Sequence, residues 1–171
     1  MRVTVEQGDV LETAADILIS SANPWLNMSD GVNGAILQRC PEIQEELRTQ
    51  LGKLGVQAVP ATSVAITSAG NLPFDHIIHA VAIDPFYDSS KQILSDTLQA
   101  AFKLAELHKA KSVSLPTLAT GYGPMTIEDF VVVFADIVVG KFSIPKVKLV
   151  LRTEENVATV RSILTGNSGS S

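Results

Sequence analysis

The stretch from residue 19 to residue 36 constrains the fold more than any other part of this 171-residue chain. It begins at the end of a continuous apolar run, Ile17 to Ile19, which is typical of a strand covered on both faces. Small and polar residues follow, then a turn flanked by Gly31 and Gly34, then a long helical pattern. The first N–H groups of a helix lack partners within it, so this order of strand, loop and helix predicts an anion-binding site.

A second stretch has the same order of elements. The segment at 112–116 predicts a strand, a glycine-containing loop follows at 120–123, and a helical pattern starts near Thr126. Two such loops at the strand ends of one sheet would hold the two halves of a pyrophosphate.

Strand and helix patterns alternate along the rest of the chain. Strands are predicted at residues 2–7, 16–20, 63–69, 76–83, 112–116 and 146–152. Helices are predicted at residues 33–39, 41–52, 89–108, 126–141 and 154–164, with a short helical turn within 10–15. The segment 126–141 is ambiguous, because its valines favour strand while its length and its Thr126 and Asp129 start signal favour a buried helix.

This alternation predicts the α/β class. We expect a three-layer α/β/α sandwich around a central mixed, largely parallel sheet. A ligand cleft is expected at the C-terminal ends of the strands. We place a single domain at residues 1–165 and a flexible Gly/Ser-rich tail at residues 166–171.

Composition narrows the functional classes. The net charge is −5 and no Lys/Arg cluster stands out, which argues against a dedicated nucleic-acid surface. Cys40 is the single cysteine, and no His/Asp/Glu spacing suggests a metal site, so we predict neither a metal nor a cofactor. No signal-peptide pattern or membrane-spanning run is present, so we expect a cytoplasmic protein that does not enter a membrane. The oligomeric state stays open.

Five motifs, in order and spacing, resemble the macro domain family over nearly the whole chain. They are Gln7-Gly8-Asp9-Val10, Ser21-Ala22-Asn23, Gly31-Val32-Asn33-Gly34-Ala35-Ile36, Ile77-Ile78-His79 and Pro116-Thr117-Leu118-Ala119-Thr120-Gly121-Tyr122-Gly123. The family binds ADP-ribose, free or attached to a protein, and some members hydrolyse derivatives of it. The resemblance therefore implies ADP-ribose or an ADP-ribosylated protein as the partner.

The resemblance also implies roles for individual residues. At the adenine end, Asp9 would accept the adenine amino group beside the Val10 backbone, and Arg152 would stack on the base. At the distal ribose, the strand end with Ala22 and Asn23 would make the contacts. The phosphates would be held by two loops, with Asp30, Gly31, Val32 and Asn33 in the first and Thr120, Gly121, Tyr122 and Gly123 in the second.

The chain departs from the family pattern at three places. Ser20 replaces the first asparagine of the family's Asn-Ala-Ala-Asn, and Met28-Ser29-Asp30 replaces its glycine run. If the loop follows the family's path, Met28 narrows the cleft and Asp30 opposes a phosphate. The repulsion between Asp30 and the phosphate is then roughly 1 kcal/mol in water and roughly 4 kcal/mol at a dielectric of 20. Alternatively, Asp30 turns outward or caps the helix. Asn33 replaces the family's catalytic aspartate, and an amide cannot take a proton.

Three functions follow from these patterns. The leading one is binding of ADP-ribose or a related nucleotide. The second is hydrolysis of ADP-ribosyl esters or O-acetyl-ADP-ribose, with Asn23 and Asn33 as tentative catalytic residues. The third is a degenerate domain that serves as an interaction module.

Structural roles compete with site roles at several positions. Asp9 is also a candidate cap, Asn23 a turn residue, and Asn33 a helix N-cap. His79 lies in a buried strand pattern and is expected to be a satisfied core histidine. Trp25 is either packing or an anchor at the cleft rim, and the helical triplet Gln44-Glu45-Glu46 is expected to be solvated.

Overall fold

A six-stranded sheet forms the middle layer of the computed structural model, which describes residues 1–29, 31–121, 124–140 and 142–169. The strands are β1 Arg2–Gln7, β2 Ile17–Ala22, β3 Val64–Ser68, β4 His76–Val81, β5 Ser112–Leu115 and β6 Lys146–Leu151. Their order across the sheet is β1-β6-β5-β2-β4-β3. All neighbours pair in parallel except β3 and β4, which are antiparallel. The predicted mixed, largely parallel sheet is confirmed, and the C-terminal ends of β6, β5, β2 and β4 meet at one edge.

Helices cover both faces of the sheet, as predicted. One face carries α1 Gly31–Arg39 and α2 Glu42–Leu54. The other carries α3 Lys91–Leu107, α4 Ile127–Val138 and α5 Glu154–Gly169. The central strand β2 serves both layers, because Ile17 and Ile19 pack against the α3–α5 layer while Leu18 and Ala22 pack against the α1–α2 layer. This two-sided burial explains the continuous apolar run of the strand.

The helix boundaries follow local chemistry. Pro41 stands between α1 and α2, where a proline suits the start of a helix but not its interior. Thr126 and Asp129 form a capping box that starts α4, which settles the ambiguous segment in favour of a helix. Hydrogen bonds from Thr126 lower the pKa of the Asp129 carboxyl. The Ser90 side chain caps α3 by accepting from the N–H of Ile93.

Several boundaries differ from the predictions, and three of them bear on the site or on the chain end. Strand β2 continues to Ala22, because Ser21 and Ala22 still pair in parallel with Ala80 and Val81 of β4. Helix α1 starts at Gly31, so Asn33 lies in its first turn and is not its N-cap. Helix α5 runs through residue 169, past the predicted end at Leu164, and no proline interrupts the segment. Among the described residues, no helix combines the length and apolarity needed to cross a bilayer.

The buried His79 lies on the face of the sheet under α1 and is in register with Ser20 of β2. Its Nε2 is 2.9 Å from Thr67 Oγ1, while that hydroxyl donates to the Ser68 carbonyl. Because the hydroxyl has a single hydrogen, its bond to the Ser68 carbonyl makes the imidazole Nε2 the donor to Thr67. Its Nδ1 has no partner among the described residues, so the expectation of a satisfied core histidine holds for one ring nitrogen only. Burial lowers the pKa of His79 from 6.5 to about 4.

We expect His79 to make folding stability depend on pH. Its pKa is lower in the folded chain than in the unfolded chain, so the unfolded chain binds more protons between about 6.5 and 4. The free energy of unfolding should therefore be unaffected by His79 above pH 7. It should fall by roughly 3 kcal/mol as the pH drops to 4. The measurement is urea unfolding across this range for the parent and for His79→Gln, which should show a shallower fall. The exposed His108→Gln is the matched control and should keep the parent slope.

Candidate functional site

A cleft of about 640 Å³ opens at the edge where the strands β6, β5, β2 and β4 end. This volume is in the usual range for a small-molecule site. Its walls come from the end of β2, the start of α1, the loop after β5, the end of β6, and the loop after β4. The lining residues include Ser21, Ala22, Asn23, Asn27, Ser29, Gly31, Val32, Asn33, Ile83, Tyr87, Pro116, Thr117, Ala119, Thr120, Gly121, Ile127, Val150, Leu151, Arg152 and Asn156. Among these described lining residues, Arg152 has the single cationic side chain.

Asn33 joins the first turn of α1 to the end of β2. Its Oδ1 accepts a hydrogen bond of 2.7 Å from the hydroxyl of the buried Ser20, and its Nδ2 donates to the Ser21 carbonyl. Both ends of the amide are therefore engaged within the protein. The two departures from the family pattern, at positions 20 and 33, bond to each other. This pairing gives Asn33 a positioning role that does not need a ligand.

Glycines let the loop before α1 approach the helix closely. Gly31 has a φ of +60°, in the left-handed region that favours glycine. A Cβ added at Gly34 would lie 2.9 Å from the Ser29 carbonyl oxygen, so only glycine allows this contact. The backbone of Gly31 and Val32 then lines the cleft at the N-terminus of α1. Asp30 lies outside the described residues.

Side-chain amides hold the loop that departs most from the family. Asn23 Oδ1 accepts from the N–H groups of Trp25 and Asn27, each at 3.1 Å, and its Nδ2 donates to the Asn27 carbonyl at 2.9 Å. From α2, Gln44 Oε1 accepts from the Met28 N–H at 2.8 Å, and its Nε2 donates to the Leu26 carbonyl at 2.9 Å. The loop is thus anchored to the core.

This anchoring overturns two expectations from the sequence. Met28 is 2% exposed and packs in the α1–α2 layer, so the prediction that it narrows the cleft is wrong. Gln44 is buried because it satisfies two backbone groups of the loop, so it is not a solvated position. The other members of the triplet face outward, with Glu45 paired to Arg48 and Glu46 accepting from Ser68.

The second loop approaches the cleft after β5. The hydroxyls of Thr117 and Thr120 lie 2.6 Å apart, and Ala119 between them has a left-handed φ of 62°. Thr120 and Gly121 both line the cleft, while their contact with a phosphate stays a prediction. Tyr122 and Gly123, which were predicted to bind the same group, lie outside the described residues.

At the β6 end of the cleft, Arg152 lines the wall together with Asn156 of α5. Asp9 and Val10, which were assigned to the adenine, are not among the described lining residues. Asp9 caps a short 3₁₀ helix at Val10–Glu12 and lies 3.9 Å from Arg39, while Val10 packs in the core. Their contact with an adenine stays a prediction.

Sequence reasoning missed Tyr87, Asn27 and Asn156 as lining residues. For Tyr87 a signal was present, because it lies just after β4, whose C-terminal end meets the same edge as that of β2. Asn156 gave no such signal, since it lies in the first turn of a helix and looks like any exposed polar position. In the part of the chain that the structure describes, no three His, Cys, Asp or Glu side chains cluster as a metal site would require.

The contacts of Asn33 predict the effect of placing the family's aspartate at this position. Asn33→Asp would replace the amide donor by a second acceptor facing the Ser21 carbonyl, which we expect to lower the free energy of unfolding by about 1–3 kcal/mol at pH 7. Protonation of the new carboxyl would restore a donor, so the loss should shrink as the pH falls. Urea unfolding at pH 7 and pH 5 measures both effects. The matched control is Asn27→Asp, an exposed change at the cleft edge that should cost less than about 0.5 kcal/mol. Equal losses in the two variants would contradict the role given to Asn33.

Comparison with known proteins agrees with this geometry. The family described as Macro domain matches residues 19–134. A Macro domain-containing protein of Listeria monocytogenes is 35% identical over 129 residues, which cover 72% of this chain and 71% of the relative. A Pantoea vagans protein named O-acetyl-ADP-ribose deacetylase 1 is 35% identical over 127 residues, which cover 71% and 72%.

Solved structures share the fold. A mutant of the Oceanobacillus iheyensis macrodomain with ADPR superposes with a TM-score of 0.88 at 24% identity, covering 97% of this chain and 93% of that chain. The Trypanosoma brucei macrodomain in complex with ADP-ribose gives a TM-score of 0.80 at 16% identity, covering 95% and 69%. With the matched residues 19–134 and the two relatives at 35% identity, these comparisons show that the chain belongs to the macro domain family.

Proposed function

We propose that the protein binds ADP-ribose, free or attached to a protein, in the cleft at the strand ends. The observation that carries the proposal is that both predicted phosphate loops meet in this one cleft, with Gly31 and Val32 on one wall and Thr120 and Gly121 on another. Two family members have been solved with ADPR or ADP-ribose, which supports the same ligand here.

Backbone groups are the natural holders of the pyrophosphate. The described residues of the two loops offer no cationic side chain, so the negative charge would be met by free N–H groups and by the dipole at the start of α1. The Thr117 and Thr120 hydroxyls add polar partners on the β5 side. This arrangement suits a phosphate whose oxygens approach the backbone closely.

The order of the strands indicates which end of the ligand would lie at which end of the cleft. Strand β6 is separated from β4 by β5 and β2, so the two ends of the cleft lie about 14 Å apart at a strand spacing of about 4.8 Å. Arg152 at the β6 end presents a guanidinium plane that can stack on a base. The far ribose would then lie by Asn23, at the end of β2. Within the described residues, the loop uses one of the two amide hydrogens of Asn23, which leaves one N–H for a ribose hydroxyl.

Hydrolysis of an ADP-ribose ester is the second candidate, because bacterial relatives carry the name O-acetyl-ADP-ribose deacetylase. Asn33 cannot act as a base, and its amide is engaged with Ser20 and Ser21. Turnover would need a water positioned by Asn23 and by the substrate's own phosphate, or help from Asp30. The contacts of Asn33 therefore favour binding over turnover. Incubation with O-acetyl-ADP-ribose and product analysis separates the two, since a pure binder returns the ester intact.

We expect ADP-ribose to raise the melting temperature, because a ligand of the native state stabilises it by mass action. Calorimetric titration gives the affinity directly. If millimolar ADP-ribose gives no thermal shift and the titration releases no heat, the binding proposal is wrong. The interaction-module hypothesis would then replace it.

We also expect Arg152→Ala to weaken ADP-ribose binding more than ribose-5-phosphate binding. The reason is that stacking on the base is lost, at roughly 1 kcal/mol or fivefold in affinity. Calorimetry with both ligands is the measurement. The matched control is Arg48→Ala, which removes an exposed arginine paired with Glu45 on α2 and should change neither affinity. Equal losses for both ligands would show that Arg152 acts on another part of the ligand.

A further inference from the structure

Aromatic side chains are exposed at one place in the described part of the chain. Of the described Phe, Tyr and Trp residues, the exposed ones are Trp25, Phe86 and Tyr87, at 40%, 89% and 46% exposure. Trp25 follows β2 and the other two follow β4, so all three lie on turns at the edge of the sheet that carries the cleft. The ring centroids of Trp25 and Tyr87 are 6.3 Å apart. We call these three side chains the aromatic rim.

The rim continues one end of the cleft. Tyr87 lines the cleft itself, while Trp25 contacts Tyr87 and stands two residues after the lining residue Asn23. These positions lie at the β2–β4 end, opposite Arg152. If the base lies at Arg152, then the ribose that carries an attached group lies beside the rim. A group attached to that ribose would then lie next to Tyr87 and the neighbouring Trp25.

Both turns of the rim are held rigidly. Asp84 Oδ1 accepts from the N–H groups of Phe86 at 2.8 Å and Asp88 at 2.9 Å, and Tyr87 between them has a left-handed φ of 61°. On the other turn, Asn23 accepts from the Trp25 N–H, and Leu26 has a φ of 52°. A tyrosine and a leucine adopt such backbone angles only where the surroundings enforce them. Preorganised aromatic side chains lose little entropy on binding, which favours their use as contacts.

The rim is also acidic. Asp84 and Asp88 flank Phe86 and Tyr87 in the same turn, and neither carboxylate forms an ion pair within the described residues. Exposed aromatic faces next to carboxylates attract Lys and Arg side chains by cation–π and charge interactions. This combination favours a basic polypeptide over an acidic one.

We infer that the aromatic rim binds the polypeptide on either side of an ADP-ribosylated residue, and that it selects segments with basic side chains. The inference rests on the proposed binding of ADP-ribose in the cleft. It adds a second contact, at Trp25 and Phe86, which do not line the cleft and which free ADP-ribose does not use. The domain would then distinguish among ADP-ribosylated proteins by the sequence around the modified residue.

The test compares three ligands by calorimetric titration: free ADP-ribose, an ADP-ribosylated peptide flanked by lysines, and the same peptide flanked by glutamates. For the parent, the lysine-flanked peptide should bind about fivefold more tightly than free ADP-ribose, and the glutamate-flanked peptide more weakly than the lysine-flanked one. The advantage of the lysine-flanked peptide should shrink at high salt, because exposed charges are screened.

Substitutions in the aromatic rim test which side chains cause the preference for the lysine-flanked peptide. The double variant Trp25→Ala/Phe86→Ala should lose the advantage of the lysine-flanked peptide and keep the affinity for free ADP-ribose within about twofold, because neither side chain lines the cleft. Asp88→Asn keeps an acceptor for the Ser89 N–H and removes the charge, so it should narrow the gap between the two peptides. Leu107→Ala is the matched control, an exposed apolar residue at the far end of α3 that should change nothing.

Each outcome decides a different point. A preference for the lysine-flanked peptide that survives in the double variant overturns the role of the rim. Equal affinity of the parent for the two peptides overturns the selection of basic segments. A parent that binds no free ADP-ribose overturns the proposed function and this inference with it, whereas normal binding of free ADP-ribose without any peptide effect overturns the inference alone.

Discussion

The site depends on the hydrogen bonds between the end of β2 and the first turn of α1. A parallel strand delivers its C-terminal residues to the sheet edge, and the helix that follows must start there for its N–H groups to face the cleft. Asn33 fixes this start by bonding at once to the Ser20 hydroxyl and to the Ser21 carbonyl. The apolar contacts of α1 with the core of the α1–α2 layer include those of Ile36 and the partly buried Val32 and Ala35. The oxygen and one N–H of the amide are engaged in these bonds, so in this chain the position has a structural role as well as a place in the cleft wall.

A second constraint acts on the loop between that strand and that helix. The family's glycine run is absent, yet the loop still lies against α1, because Gly34 leaves room for the Ser29 carbonyl. The side chain that adds most bulk, Met28, is turned into the α1–α2 layer, while Gln44 holds the backbone on both sides of residue 27. The loop without the glycine run is therefore anchored by the side-chain amide of Gln44, and the bulk of Met28 lies in the core.

The two ends of the cleft are chemically different, which bears on what the protein recognises. At the β6 end stands the guanidinium of Arg152, while at the β4 end stand Tyr87 and the exposed aromatics beside it. The middle is built from backbone groups and small polar side chains. Such a division gives a common centre for a charged diphosphate and two ends that can vary without disturbing the fold.

By itself, the sequence determined the layer architecture, the strand and helix order and the two loops at the sheet edge, because these follow from local periodicity, capping residues and glycine positions. The resemblance to the macro domain family assigned Gly31, Val32, Thr120, Gly121 and Arg152 to one ligand site, and all five line the same cleft. Only the tertiary structure decided the directions of the side chains. The deciding contacts are made between residues that are separated in the chain. They are the packing of Met28 in the core, the hydrogen bonds of Gln44 to the loop, the Ser20–Asn33 hydrogen bond and the contact of Trp25 with Tyr87. Such contacts depend on packing between elements, and no local pattern encodes them.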